Sequence, residues 1–148
     1  MTLPDKTYLQ INQALFSLTH AYETRMEADA DNTAGLSLSD CSVLMVLHQF
    51  APTTAARLSE IMDINPGTIS VYVQRLTKNG LVRREQDPDD LRNWRLTLSE
   101  PGNIVASAVV AAAADYTRAF LAALDEEEQA TLHRLLLKAS HSLGFDWQ

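Results

Sequence analysis

The segment from Asn65 to Gly102 constrains the fold of this chain more than any other. It reads INPGTISVYVQRLTKNG and continues as LVRREQDPDDLRNWRLTLSEPG. Asn65 and Pro66 form a strong helix start, because Asn caps the first turn and Pro suits a first helical position that needs no N–H. Gly80 can adopt the left-handed conformation that ends a helix. The spacing therefore predicts a helix over 66–79.

A short helix and a hairpin flank this element. The run AARLSEIM precedes it across a tight turn, so the two helices form a helix-turn-helix. Residues 81–86 and 94–98 alternate apolar and polar side chains, which predicts two strands. The run DPDDLRN between them is rich in turn-forming residues. A basic hairpin beside a helix-turn-helix is the layout of a winged helix-turn-helix.

Helical periodicity accounts for most of the remaining chain. It covers residues 6–28, and the polar segment 29–35 is predicted to be a loop. A second helix is predicted from an N-cap near Ser39 to Pro52, and Ser99 caps a long helix to about Leu124. Asp125 and Glu128 have the spacing of a capping box before the last helix. The predicted fold is mostly α with a small β-hairpin wing, in the order ααααββαα, as a single domain over 1–148.

Composition narrows the class of protein. The 148 residues suit one domain, and a single cysteine excludes an intramolecular disulfide. The first ten residues, MTLPDKTYLQ, contain no apolar signal-peptide core. The Ala-rich run over 104–114 is far shorter than the roughly 20 residues that span a bilayer. We therefore expect a cytoplasmic protein with no membrane partner.

Charge is distributed unevenly along the chain. The net charge is −7, but residues 65–95 contain six Lys or Arg and four Asp or Glu, so this segment carries +2 and the remainder −9. A weakly positive patch on an acidic body can still bind phosphates, although it should bind non-specific DNA poorly and depend strongly on salt.

The helix over 66–79 has two faces. Ile69, Val73, Leu76 and Gly80 form a stripe that is predicted to pack inward. Small hydroxyl residues near the start of the opposite face allow close approach to DNA, and Ser, Thr and Gln can bond base edges. The residues predicted to contact the major groove are Pro66, Gly67, Thr68, Ser70, Val71, Gln74, Arg75 and Lys78. A plain amphipathic surface helix is the alternative for this element taken alone.

The hairpin resembles the wing of MarR-type transcriptional regulators. That family has an Asp-Pro-x-Asp-x-Arg wing tip, then a strand and Leu-Thr-x-x-Gly. The matching residues are Asp87, Pro88, Asp90, Arg92, Leu98, Ser99 and Gly102. The helix-turn-helix segment LSEIMDINPGTISVYVQRLTKNGLV is similar to the family pattern as well. Two positions depart from it, since Leu91 and Val71 stand where the family often has polar or basic residues.

The resemblance implies a homodimer on double-stranded DNA. Residues 36–100 would form the winged DNA-binding lobe, and 1–30 with 101–148 would form the dimerisation helices. Arg92 would enter the minor groove, Asp90 would hold Arg92 or a neighbouring arginine, and Asn93 would complete the wing contacts. Two-fold symmetry predicts a pseudo-palindromic operator. The small residues of VASAVVAAAADYTRAFLAAL also favour close helix packing in a dimer.

The same resemblance implies an effector. Members of the family commonly respond to small aromatic or phenolic anions bound between the dimer helices and the lobe. Polar candidates for such a site are His20, Arg25 and His48. Ligand binding would then shift the spacing of the two lobes, provided that the ligand prefers one spacing.

Other chemistry finds little support. Cys41 is expected to be a small buried apolar residue rather than a redox sensor, and no compact Cys/His spacing suggests a metal. We find no phosphate loop, HExxH motif or nucleophile elbow, so we predict no enzyme and no cofactor. The sequence thus predicts a sequence-specific DNA-binding regulator, acting as a repressor. The alternatives are a winged-helix module that docks a protein and a regulator gated by a thiol or a metal.

Overall fold

The computed structural model describes residues 2–144. Within this range, seven helices and one hairpin follow one another. They are α1 (Asp5–Ala28), α2 (Ala30–Thr33), α3 (Leu38–Phe50), α4 (Ala55–Met62), α5 (Pro66–Lys78), β1 (Val82–Gln86), β2 (Trp94–Leu98), α6 (Glu100–Phe120) and α7 (Glu126–Ser142). The mostly helical winged helix-turn-helix predicted from the sequence is confirmed.

Two predicted boundaries and one predicted loop were wrong. The segment 29–35 contains the one-turn helix α2, because the Asp29 carboxylate accepts a hydrogen bond from the Asn32 backbone N–H at 3.2 Å and caps it. The order is therefore αααααββαα. Helix α3 is capped by Ser37, whose hydroxyl accepts from the Asp40 N–H at 3.2 Å, so Ser39 lies inside the helix. Helix α6 ends at Phe120 rather than near Leu124.

The caps predicted at Ser99 and Asp125 agree with the structure, which also shows the cap of α4. Thr54 caps α4, Ser99 caps α6, and Asp125 forms a complete capping box with Glu128. Gly80 follows α5 with φ of +75°, as expected for a glycine that ends a helix. Gly80 is exposed, however, so its predicted place on the inward stripe was wrong.

The main hydrophobic core lies in the lobe, between α3, α4, α5 and the hairpin. Fully buried members include Leu44, Leu58, Ile69 and Leu76, with Leu96 from β2. Strand β2 also makes a single antiparallel bridge to Thr53, just before α4, which fixes the wing to the helix-turn-helix. The wing and α5 are therefore parts of one packed unit.

A second, smaller core joins the lobe to the long helices. Met26 of α1, Cys41 of α3 and Val109 of α6 are all buried there. The phenol of Tyr116 donates a hydrogen bond to Asp29, which ties the end of α1 to α6. This bond is the first cause of the lowered pKa of Asp29 and raises the pKa of Tyr116 to about 12. The small core and this hydrogen bond therefore fix the position of α1 and α6 relative to the lobe.

Candidate nucleic-acid interface

The first turn of α5 is built for close approach. The Asn65 side chain accepts a hydrogen bond from the Gly67 backbone N–H at 2.8 Å, and Pro66 occupies the first turn. A Cβ at Gly67 would lie 3.1 Å from the Asn65 amide oxygen, which is tight. The helix therefore begins with small side chains, and its positive dipole end points out of the lobe.

The two faces of α5 separate as predicted. Ile69, Val73 and Leu76 are buried in the lobe core. Seven of the eight residues predicted to contact DNA are exposed, namely Pro66, Gly67, Thr68, Ser70, Val71, Gln74 and Lys78. Val71 is 54% exposed, so an apolar surface lies in the middle of this otherwise polar face.

Arg75 is the exception among the eight residues. Its guanidinium makes three hydrogen bonds to the Asp40 carboxylate of α3, from Nε to Oδ1 at 3.1 Å and Oδ2 at 2.9 Å, and from Nη2 to Oδ1 at 2.7 Å. These bonds raise the pKa of Arg75. The Tyr72 ring centroid lies 5.3 Å from the guanidinium carbon. Asp40 is 4% exposed at its side chain, and Arg75 compensates its buried charge.

The wing tip is ordered by its own carboxylates. Asp87 Oδ1 accepts from the Asp89 N–H at 2.9 Å and pairs with Arg95 Nη2 at 2.9 Å. Asp89 reaches the same arginine nitrogen at 3.5 Å. The backbone bond from Asp89 and the bond from Arg95 are the two largest causes of the lowered pKa of Asp87. Arg95 is thus neutralised inside the wing.

Asp90, Arg92 and Asn93 form a compact turn. Asp90 Oδ1 accepts from the Arg92 backbone N–H at 3.1 Å, and its Oδ2 accepts from Asn93 Nδ2 at 3.3 Å. Asp90 therefore contacts the backbone of Arg92 rather than its guanidinium. The exposed Arg92 side chain has no carboxylate partner among residues 2–144.

Sequence reasoning overlooked three residues that shape this surface. Asp40 lies within an apolar run, and a buried carboxylate there requires a cationic partner. The sequence therefore indicated that Asp40 needs a cationic partner, but not that this partner is Arg75. The other two are Arg84 of β1 and Trp94 of β2. The Arg84 guanidinium carbon lies 5.4 Å from the Trp94 ring centroid within the wing. Their one signal was the predicted strand alternation.

Comparisons with known proteins place the chain in a family. The sequence profile of the MarR family matches residues 36–94. A probable transcriptional regulator from Pseudomonas aeruginosa is 32% identical in a crystal structure, with a TM-score of 0.72, and the match covers 88% of this chain and 96% of that one. The chain belongs to the MarR family.

Two more relatives extend this result. The uncharacterized HTH-type transcriptional regulator YsmB of Bacillus subtilis is 29% identical over 100 residues, which cover 68% of each protein. The second is a mutant MarR from E. coli, crystallised with operator DNA, which matches with a TM-score of 0.75 at 18% identity. The match covers 93% of this chain and 99% of that one. This likeness is one of fold. The family profile and the curated relatives identify the protein as a MarR-family transcriptional regulator.

The three effector candidates of this MarR-family chain have different neighbours. The Arg25 guanidinium carbon lies 5.9 Å from the Tyr116 ring centroid and 5.3 Å from that of Phe120. His20 stacks on Phe16 with ring centroids 6.2 Å apart, and His48 is exposed on α3. None of the three lines the groove of about 510 Å³ beside α3. The structure therefore shows no single site that contains all three.

Cys41 of the MarR-family chain is a buried residue, 1% exposed. Burial, and to a smaller extent the charge of Asp40, raises the pKa of its thiol to about 11. The thiol is accordingly protonated at neutral pH, which disfavours oxidation by peroxide. Within residues 2–144, no cluster of His, Cys, Asp and Glu could hold a metal, and no helix is long and apolar enough to cross a bilayer.

Proposed function

We propose that this MarR-family regulator binds a pseudo-palindromic site in double-stranded DNA as a homodimer. The observation that carries the proposal is the exposed, mostly polar start of α5 next to a wing whose Arg92 has no carboxylate partner among the described residues. In each protomer, the residues from Pro66 to Lys78 would enter a major groove. Arg92, with Asp90 and Asn93 shaping its turn, would reach the neighbouring minor groove. A mutant MarR from E. coli that shares this fold is complexed with operator DNA, which supports DNA as the ligand here.

The charge distribution supports a local interface. Residues 65–95 carry +2 within a chain of net charge −7. Arg95 and Arg75 already have carboxylate partners, so fewer cations than the count suggests are free to contact phosphate. We expect weak non-specific binding and a specific site that depends on shape and base contacts as well as charge.

The dimer proposal rests on apolar surface outside the lobe. Helix α7 has no buried residue in the isolated protomer. Its Leu135 and Leu136 are 49% and 48% exposed, and Leu15 of α1 is 51% exposed. Large apolar side chains exposed on these two helices favour an interaction site outside the lobe. We therefore assign residues 36–100 to the DNA-binding lobe, and 1–30 with 101–148 to dimerisation, of which residue 1 and residues 145–148 lie outside the described residues.

Two finer parts of the proposal are repression and response to an effector. Both follow from the family resemblance, which favours a repressor released by a small aromatic or phenolic anion. The Arg25 side chain, between the rings of Tyr116 and Phe120, offers a cation and aromatic surface at the junction of α1 and α6. His20 and His48 remain candidates on the surfaces of α1 and α3.

A protein-docking module is the second candidate function. Val71 and Leu91 are 54% and 67% exposed at places where base or phosphate contacts would be expected. These two side chains, with the acidic body of the protein, favour a protein partner over DNA. The experiment below separates the two functions.

The deciding experiment is selection of bound sequences from random duplex DNA at physiological salt. We expect an enriched pseudo-palindrome with half-sites about one helical turn apart. Arg92→Ala should weaken binding to that site by about tenfold, because a wing contact contributes roughly 1–3 kcal/mol of discrimination. Failure of the wild-type protein to enrich any sequence would favour the docking module. Unchanged affinity of Arg92→Ala would remove Arg92 from the interface.

A further inference from the structure

A groove runs between the wing and the helix-turn-helix. It has two adjoining parts of about 430 Å³ and 170 Å³, and both are lined by Ala55, Arg84 and Trp94. The larger part extends to Arg92 of the wing, and the smaller part extends to Gln74 of α5. The groove therefore joins the two elements that are proposed to enter neighbouring DNA grooves.

The strand register places Arg84 and Trp94 on the side of the hairpin that faces the groove. Arg84 pairs with the buried Leu96, and Trp94 pairs with Gln86, so Arg84 and Trp94 are diagonal neighbours. The guanidinium carbon of Arg84 lies 5.4 Å from the Trp94 ring centroid, within the range of a cation–π contact. The ring limits where the flexible arginine can point.

Arg84 is a cation without an acidic partner among residues 2–144. All of residues 36–100 are described, and within them Arg57, Arg75 and Arg95 pair with carboxylates. Arg84 pairs with none, although Glu85 is its neighbour in sequence. A guanidinium that is oriented by an aromatic ring and free of carboxylates can bind a phosphate bidentately.

We propose that Arg84, held against Trp94, binds a backbone phosphate of the operator DNA. The inference rests on the proposed function, since a recognition helix in the major groove and a wing in the next minor groove must straddle one sugar–phosphate strand. That strand has to cross the groove between α5 and the wing. The first turn of α4 lines the same groove through Ala55 and Ala56 and adds the positive end of its dipole. Arg84 would thus set the register of the lobe on the duplex.

The matched control is Arg83. It is the preceding residue of β1, it is exposed, and the alternation of the strand places it on the opposite face, across from Thr97. Arg83→Gln and Arg84→Gln remove the same charge from the same strand. They differ in whether the lost guanidinium lined the groove against Trp94.

The test is a salt titration of binding to a fluorescein-labelled duplex of random sequence, followed by anisotropy. Arg84→Gln should weaken binding by about tenfold and reduce the slope of log K against log salt by about 0.9, the value for one phosphate. Arg83→Gln should change both much less. Trp94→Leu should weaken binding about two- to fivefold while it leaves the slope nearly unchanged, and Trp94→Phe should restore most of the affinity. Thermal melts monitored by circular dichroism verify that each variant is folded.

A second readout reports on the groove itself. In a Trp147→Phe background, Trp94 is the remaining tryptophan of the two in the chain. Its fluorescence should change when the duplex binds, and the change should diminish in Arg84→Gln. Equal effects of Arg84→Gln and Arg83→Gln would overturn the phosphate contact while DNA binding stands. A wild-type protein that binds neither this duplex at low salt nor any sequence in the selection experiment would overturn the proposed function together with the contact.

Discussion

Replacement of Gly102 by Ala should destabilise the protein, although alanine is the better helix former. Gly102 lies in the first turn of α6, packed against the loop that leads into β1. A Cβ at this position would lie 1.9 Å from the Leu81 carbonyl oxygen, about 1.5 Å short of ordinary contact at 3.4 Å. The neighbouring atom is backbone, so no side chain can move aside. Either the helix or the loop must shift.

The cost can be estimated from the bonds that such a shift disturbs. The Leu81 carbonyl accepts from the Ser99 N–H at 3.0 Å, and the Ser99 hydroxyl donates to the Gly80 carbonyl at 2.5 Å. Overpacking costs about 1–3 kcal/mol, and a lost hydrogen bond adds about 1 kcal/mol. The helix propensity of alanine returns about 1 kcal/mol. We expect a net loss of about 2 kcal/mol in the free energy of unfolding.

Urea unfolding followed by circular dichroism measures this loss. The protomer concentration must be the same for all variants, because the stability of a dimer depends on it. Asn103→Ala is the control, since Asn103 is the next residue of α6, is exposed, and gains only helix propensity. A Gly102→Ala protein as stable as Asn103→Ala would refute the steric argument. It would also leave the glycine of the Leu-Thr-x-x-Gly signature without a structural reason.

Two further predictions concern the thiol and the dimer. Cys41 has a folded-state pKa of about 11, above its ordinary value, so its contribution to stability is present below pH 9 and is lost as the pH rises toward 11. Native protein should therefore react slowly with iodoacetamide at pH 8, and peroxide should leave DNA affinity unchanged; a loss that depends on Cys41 would contradict this. Leu15→Glu should reduce the mass measured by light scattering from twice 16.4 kDa toward 16.4 kDa. The control Gln13→Glu should leave the mass unchanged. A dimeric Leu15→Glu protein would exclude this face of α1 from the interface.

Local signals predicted the recognition unit well. The two ends of α5 are set by Asn65 and Pro66 at its start and by Gly80 after its end. Their capping chemistry depends only on neighbouring residues. The alternation of the two strands likewise predicted the hairpin. These features required no knowledge of the tertiary structure, and the structure confirms them.

Boundaries that depend on competing caps were predicted less well. Ser37 and Ser39 are both suitable N-caps, and only the structure shows that Ser37 bonds the Asp40 N–H. The segment 29–35 is polar and ends in Gly, so it resembles a loop. A single turn of helix forms there because the Asp29 carboxylate bonds Asn32 while Thr33 is buried. Periodicity cannot detect a helix of one turn.

The partner of Arg75 was also beyond local reasoning. Asp40 and Arg75 are 35 positions apart, and no sequence spacing relates them. Asp40 lies directly before Cys41 in α3, and Cys41 belongs to the small core shared with α1 and α6. The ion pair therefore connects the recognition helix to the helix that contacts the long helices. Arg75 was predicted to contact DNA, but its guanidinium already bonds Asp40.

The pairing of arginines determines which positive charges can act on DNA. A count over residues 65–95 gives six cations. Arg75 and Arg95 are paired with carboxylates within the protein. In the part of the chain that the structure describes, the arginines of the hairpin without a carboxylate partner are Arg83, Arg84 and Arg92. Arg83 faces away from the groove, so Arg84 and Arg92 are the two cations that line it. In an acidic protein, these two positions concentrate attraction for phosphate at the wing, and binding should respond more strongly to their loss than to the loss of charge elsewhere.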